Sequence, residues 1–383
     1  MLRDEVLAVR RETRRLLCAL VFSAIPLSSE GFRDEHRRDV ILALERSRGV
    51  HVIDATTLEN SGLFVAGNVD RSVGASPDGR TLFVEQADAS GSCCALYALD
   101  IETRSICKLG GSLTWVVTPD CRFLFTQYGN SGIEVFNART LARMPRVAML
   151  GGPYAFYASP DCRWLFGISL FRGASLDLFE IERRERVRRF PFTETKILRG
   201  AWLKDQFYCF AHDGNLGRLW KVSPETYTVG QPVTVTLDAL ASSEKPVWLE
   251  VVALGDRLVV FEPFGTKLDR RRSRRYRSNS AGLPGGLFIL DPSNGDLLAH
   301  LAPSVFFSRL VASTDGQWVY GIDSGGPDWT GPVRLLKIDS RTGKAVTERL
   351  LEPGVWSIAF AKIPVRLLPR DRVLVNLCND GLL

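Results

Sequence analysis

Seven times along this chain an apolar run ends on a polar residue that opens a short turn. The runs are His51-Val-Ile-Asp54, Tyr97-Ala-Leu-Asp100, Glu134-Val-Phe-Asn137, Phe179-Glu-Ile-Glu182, Trp220-Lys-Val-Ser223, Phe288-Ile-Leu-Asp291 and Leu336-Lys-Ile-Asp339. Their closing residues lie 46, 37, 45, 41, 68 and 48 positions apart, and the long interval holds an insertion. A recurrence of about 40–50 residues, with several short strands in each unit, builds a repeat architecture in which no unit can bury its apolar face alone. Neighbouring sheets must cover one another, and a closed ring of radial sheets does so for every unit.

Each unit carries further order. Tight turns precede most endings: Ser76-Pro-Asp-Gly79, Thr118-Pro-Asp-Cys121, Ser159-Pro-Asp-Cys162, Gly255-Asp256 and Ser313-Thr-Asp-Gly316. Proline sets φ at the first corner, aspartate bonds back to the backbone, and glycine accepts a positive φ. Short aromatic and β-branched runs flank these turns, such as Arg80 to Val84, Arg122 to Phe125, Arg163 to Phe166 and Gln317 to Tyr320. With the closing run and a fourth strand after turns such as Ile101-Glu-Thr-Arg104, each unit makes a four-stranded antiparallel blade. The first unit lacks an inner strand, supplying only Val40 to Leu44, Val50 to Asp54 and Leu58 to Val65. Val355-Trp-Ser-Ile-Ala-Phe360 has the character of the missing one. The expectation is therefore an all-β, seven-bladed β-propeller whose ring closes by joining N- and C-terminal strands in one blade, which removes open edges. Val365 to Leu377 holds material for one more strand, without a clear place.

The pattern Ser76-Pro-Asp-Gly79 followed by Arg80-Thr-Leu-Phe-Val84, then Leu96-Tyr-Ala-Leu-Asp-Ile-Glu-Thr103, resembles the YVTN-type propeller repeats. These belong with the lactonase-like and quinoprotein amine dehydrogenase β-chain-like proteins. The resemblance spans about 70–380 and is best at 72–104, 114–140 and 309–345. It implies the fold; the families sharing it include hydrolases, electron-transfer subunits and binding proteins, so it does not select a function.

No linker divides the chain after about residue 38, and the expected organisation is a segment 1–31 followed by a single propeller over 32–383, with an insertion at about 263–285. The first 15 residues carry five arginines against three acids, and an apolar stretch from Leu16 to Leu27 follows. That layout reads as a secretory signal, too short to span a bilayer, and predicts a periplasmic or secreted protein. Asp4, Glu5 and Glu12, and the lack of an Ala-x-Ala site, leave open an amphipathic helix packed on the propeller. Eight cysteines do not settle the compartment. Cys121 and Cys162 occupy the same turn in adjacent blades and are expected to stay unpaired with each other. Cys93-Cys94 reads as two small residues entering a strand rather than as a soft-metal site.

The sharpest charge feature is Lys267-Leu-Asp-Arg-Arg-Arg-Ser-Arg-Arg-Tyr-Arg277, seven bases against one acid, equal to the net +6 of the whole chain. Lys267, Arg270, Arg271, Arg272, Arg274, Arg275 and Arg277 thus form a candidate partner-binding loop between the second and third strands of the sixth blade. In a propeller such loops share a face with the blade-to-blade connections. An arginine-rich loop suits an acidic protein, a glycan or another anionic partner. Nucleic acid is disfavoured, because no aromatic interleaving beyond Tyr276 accompanies the run.

Large rings recur on the presumed inner strands: Trp115, Phe156, Trp202, Trp248, Phe307 and Trp356. They either surround the channel mouth or pack between blades; their unequal offsets from the following turns favour packing. Catalytic motifs are scarce. His212, Asp213 and Arg218, in one loop region, are the best candidates for the base and cationic groups that a lactonase-like site needs. Asp88, Asp323 and Asp328 lack a cation-loop pattern, no metal set is formed by the four histidines, and no phosphate loop, nucleophile elbow or haem motif is present. The expected function is a non-enzymatic scaffold that presents loops to an anionic partner, without cofactor and as a monomer. The alternative is a lactonase-like hydrolase or a quinoprotein-dehydrogenase-like subunit with a site at the channel mouth.

Overall fold

A computed structural model describes residues 36–45, 48–67, 69, 72–87, 94–112, 114–128, 132–147, 155–169, 174–192, 198–213, 216–236, 249–261, 285–325, 331–352, 354–368 and 375–376. The N-terminal segment and the basic run 267–277 lie outside these residues. Among the described residues, thirty short strands fold into seven sheets. Blade 1 holds β1 (Arg37–Glu45), β2 (Gly49–Asp54) and β3 (Asn60–Ala66). Blades 2 to 4 are β4 to β7 (Val73–Ala75, Thr81–Ala87, Cys94–Asp100, Ile106–Gly111), β8 to β11 (Thr114–Val117, Phe123–Gln127, Ile133–Asn137, Arg143–Val147) and β12 to β15 (Ala155–Ala158, Trp164–Ser169, Ala174–Glu180, Glu185–Phe192). Blade 5 has β16 to β18 (Arg199–Leu203, Gln206–Asp213, Leu216–Ser223) and an outer strand broken into β19 (Thr228–Val229) and β20 (Val233–Thr236). Blades 6 and 7 are β21 to β24 (Glu250–Leu254, Arg257–Phe261, Leu287–Leu290, Leu297–Leu301) and β25 to β28 (Phe307–Ala312, Trp318–Asp323, Arg334–Asp339, Ala345–Leu350).

The ring closes as the incomplete first unit demands. β29 (Val355–Pro364) pairs antiparallel with β1 over its whole length, from Arg37 opposite Pro364 to Glu45 opposite Val355, and so becomes the innermost strand of blade 1. The chain then makes a 3₁₀ turn at Val365–Leu367 and returns as β30 (Val375–Asn376), which pairs parallel with β3 on the outer edge of the same blade. The C-terminal segment thus holds the three N-terminal strands between its own two. Blade 7 grips blade 1 with side chains as well. The Tyr320 hydroxyl donates to the Ala55 carbonyl at 2.9 Å, Lys337 Nζ to Thr56 at 3.4 Å, and Arg349 to Leu58 at 2.8 Å.

The recurring residues have local reasons. In the turn between first and second strands, the Ser76 hydroxyl donates to Asp78 and accepts from the Thr81 N–H, while the Gly79 N–H bonds the Ser76 carbonyl. Thr118, Ser159 and Ser313 repeat this wiring. The last position is left-handed: φ is +66° at Gly79 and +68° at Gly316, but also +58° at Cys121 and +61° at Cys162. At Gly79 glycine is obligatory, since a Cβ would stand 1.8 Å from the Lys362 carbonyl oxygen. The closing polar residues cap the next turn; Asp54 Oδ1 accepts from the N–H groups of Thr56 and Thr57, and Asn137 Oδ1 from those of Arg139 and Thr140. In blade 4 that position is Glu180 rather than Glu182. Glu180 lies opposite Trp164 and its carbonyl accepts from the Arg184 N–H, while Ile181 bonds back to Arg163 as Ile101 does to Arg80. The arginine-rich Glu182-Arg-Arg-Glu185 hides this shift, because it masks where the apolar strand stops.

Seven apolar clusters among the described residues lie one in each gap between consecutive blades. Alternation places one face of every strand in one gap and the other face in the next. Leu176 and Leu178 face blade 5 beside Phe207 and Trp220, whereas Phe179 faces blade 3 beside Phe125 and Val135. Each buried large side chain contributes about 1.5–3 kcal/mol relative to exposure. No helix among the described residues is long and apolar enough to cross a membrane.

Candidate functional site

In an antiparallel blade the second strand ends, and the third and innermost strands begin, on one face. Five second strands carry a buried polar residue at or near that end. Glu45, Gln127, Ser169 and Asp323 close β1, β9, β13 and β26, and Glu85 lies two residues before the end of β5, each at most 4% exposed. The innermost strand starts beside them: Glu45 pairs with Val355, Gln127 with Thr114, Asp323 with Phe307, and the Glu85 N–H donates to Ser72. These five residues form a polar collar on the face where the innermost strands begin.

The most ordered part of the collar belongs to blade 1. Two register shifts meet there, at Leu44/Glu45 and Val50/His51, and such bulges re-aim side chains. Glu45 accepts from Arg48 at 3.2 Å and lies 2.9 Å from His51 Nε2. Asn60 Oδ1 accepts from the Gly62 N–H, so its amide NH₂ faces His51 Nδ1 at 3.3 Å. The network assigns the imidazole proton to Nε2, donated to Glu45, with Nδ1 as acceptor. Both ring nitrogens are committed. In the adjoining blade 7, Asp323 is bound by Arg334 through Nε at 3.2 Å and Nη2 at 2.6 Å, and Arg334 also reaches Glu348 at 3.1 Å.

Between blades 5 and 6, Arg199 opens β16 and Glu250 opens β21. The guanidinium is 3% exposed; its Nε donates to Glu250 at 3.1 Å and its Nη1 to the Leu198 carbonyl at 3.0 Å. The Tyr157 hydroxyl of β12, close by, accepts from the Gly200 N–H at 3.4 Å. Burial pushes this phenol well above the ordinary tyrosine range, so it stays protonated. The arrangement holds fixed, paired and largely buried charge on the face where the innermost strands begin.

The residues singled out in the sequence distribute differently. His212 and Asp213 end β17, where they pair with Gly217 and Leu216, while Arg218 pairs with Ala211. His212 and Arg218 therefore hold adjacent, out-of-phase register positions. The half-buried Arg218 lies on the same side of the ring as the collar. Lys267 to Arg277 and Trp248 lie outside the described residues, as do Asp88 and Asp328, and Trp356 is described by its backbone alone, in β29. The other aromatic residues pack between blades. Trp115 meets Phe83 of blade 2 at 5.3 Å between ring centroids and donates its indole N–H to Ser72 at 3.0 Å. Trp202 meets Phe166 of blade 4 at 5.3 Å and donates to the Tyr157 carbonyl. Phe156 joins the cluster between blades 3 and 4, and Phe307 that between blades 6 and 7. No group of three metal-ligating side chains occurs among the described residues.

The sequence does not reveal the collar as such although its signal is present: apolar second strands that stop on one polar residue, as in Leu42-Ala-Leu-Glu45, Phe123-Leu-Phe-Thr-Gln127 and Tyr320-Gly-Ile-Asp323. A polar strand end looks like the start of any loop until the neighbouring blades bury it.

No family model matches the chain, and no curated protein matches it. Solved structures do. Hydrazine synthase of Kuenenia stuttgartiensis is 15% identical, with 70% of this chain and 76% of that chain covered at a TM-score of 0.50. Dihydro-heme d1 dehydrogenase NirN in complex with DHE is 13% identical, with 88% and 78% covered at a TM-score of 0.52. At such identities the likeness is one of fold, and the fold is that of the seven-bladed β-propellers.

Proposed function

We propose that this propeller is a non-enzymatic binding scaffold that receives a protein, a glycan or another anionic partner on its collar face, outside the cytoplasm. The observation that carries the reading is positional. The run Lys267 to Arg277 is inserted between Phe261, which ends β22, and Leu287, which starts β23, and both strand ends belong to the collar face. Seven cations in eleven residues attract anions through a field that salt screens. The collar groups support a docking role over acid–base chemistry: His51 is committed at both nitrogens, and Arg199 and Arg334 are each held by a carboxylate.

The test compares the full chain with a variant in which 267–277 is replaced by Gly/Ser of equal length. Immobilised heparin serves as the anionic probe, at salt from about 50 to about 200 mM. The expected result is retention of the parent that falls with salt and is lost in the variant. Equal retention of the two would refute the reading, as would a stoichiometric small molecule kept by the protein in native mass spectrometry.

A further inference from the structure

The outermost strand of blade 4, β15, is the longest outermost strand among the described residues, and nothing described pairs with its outer edge. Such an edge is a row of unpaired N–H and C=O groups, which proteins commonly blunt with charge and proline. β15 has both, in Arg186, Arg188, Arg189 and Pro191. Simple protection would explain an edge of balanced charge. Two observations go further.

The first is how the charge is layered. Asp177, fully buried, lies beneath Arg186 at 3.5 Å and Arg189 at 3.8 Å, whose side chains are 37% and 39% exposed. Glu180, partly exposed, pairs with Arg183 at 3.3 Å. Arg188 is exposed, opposite Leu178, and has no carboxylate partner among the described residues. Asp177 faces the sheet beneath solvent-facing guanidiniums; Glu185 is exposed, and β15 itself shows the solvent three arginines against this one glutamate, a net positive edge. The second observation is that an outermost edge of this ring does take a further strand: β30 adds to β3 on blade 1.

We propose that the edge of β15 binds an extended acidic segment of a partner protein by strand addition. Its backbone would pair with Glu185 to Phe190, and Pro191 would end the register because it has no N–H to donate. Arg186 and Arg189 stand on one face of the strand, opposite Phe179 and Asp177, and Arg188 on the other. The preferred segment therefore carries carboxylates on both of its faces. A polyanion without a peptide backbone could use the charge but not the edge. This surface lies on the rim, apart from the collar face, and does not rest on the function proposed above.

The experiment uses the full chain with 267–277 already replaced by Gly/Ser, which removes the other basic site. Fluorescence anisotropy measures binding of a blocked octapeptide of Glu, Val and Thr with carboxylates on both faces. Its counterpart is N-methylated at alternate residues. The expected result is salt-sensitive binding, weakened about tenfold or more by N-methylation and again by Arg183→Glu with Arg188→Glu. Tenfold corresponds to about 1.4 kcal/mol. Neither substitution touches the arginines over Asp177, and an unchanged melting curve establishes that the variant is folded. No binding of the parent peptide, or equal binding of the N-methylated one, overturns the proposal. Heparin binding that the two substitutions abolish, with no peptide binding, would assign the rim to a polyanion instead.

Discussion

Asp177 offers the most demanding test of how this ring holds charge. Its carboxylate is 0% exposed, neither oxygen has a hydrogen bond within the usual distance, and its neighbours are Arg186 and Arg189 at 3.5 and 3.8 Å. At an effective dielectric of about 20, each separation corresponds to ~4–5 kcal/mol of gross attraction. Desolvation opposes it and is the larger effect, because burial raises the Asp177 carboxyl above its ordinary range despite both arginines. The acid and the bases should therefore respond unequally to removal. Arg186→Ala with Arg189→Ala leaves a buried carboxylate uncompensated. The expected loss is about 3 kcal/mol at pH 7, the low end of the ~3–5 kcal/mol for breaking a buried pair, since both guanidiniums are more than one-third exposed and partly screened. Asp177→Asn alone should stay within ~1 kcal/mol of the parent, and adding it to the double variant should restore most of the loss. The pH dependence follows from the sign of the shift. A carboxyl raised in the folded state binds more protons there than in the unfolded chain, so its contribution to stability falls as pH rises through the folded value. The deficit of the double variant should shrink as pH falls toward the acid range. Urea unfolding at neutral and mildly acidic pH reads all of this. If the arginine-less variant is as stable at pH 7 as the same variant carrying Asp177→Asn, the reasoning fails.

Three further outcomes are expected. Truncation after residue 352 removes both β29 and β30 and should abolish cooperative unfolding, since blade 1 loses its innermost strand and the ring its closure; a sharp melt would refute that. Tyr320→Phe removes the buried bond to the Ala55 carbonyl and should cost about 1–2 kcal/mol in urea unfolding, with no change in secondary structure by circular dichroism. The thiols of Cys121, Cys162 and Cys209 are all pushed up by burial, Cys121 to about 11. They should resist iodoacetamide at pH 7.5 in the folded protein and react once it is unfolded, as followed by peptide mass spectrometry.

Much of this molecule could be read from the chain because its information is local and repeated. The Ser-Pro-Asp-Gly-type turns, the polar residue that ends each third strand (Asp or Asn in five blades), and the two-residue alternation recur from blade to blade. Short-range hydrogen bonds decide all three, so the blade count and the closing role of Val355 to Phe360 could be inferred. Blade 4 shows the limit: with arginines spread through 183–189, the strand end at Glu180 is set by its partner Trp164, not by its own neighbours. The collar was out of reach for a related reason. Whether Glu45 or Asp323 is an ordinary loop start or a buried, ion-paired group depends on Arg48, His51 and Arg334, and on how far the adjoining blades bury it. Likewise Trp115 and Trp202 are aromatic residues on inner strands in the sequence; only the neighbouring blade, with Phe83 or Phe166, decides that they serve packing. Turn chemistry lies within a few residues and is written in the sequence. Burial arises from contacts between blades up to hundreds of residues apart, and those exist only once the ring has closed.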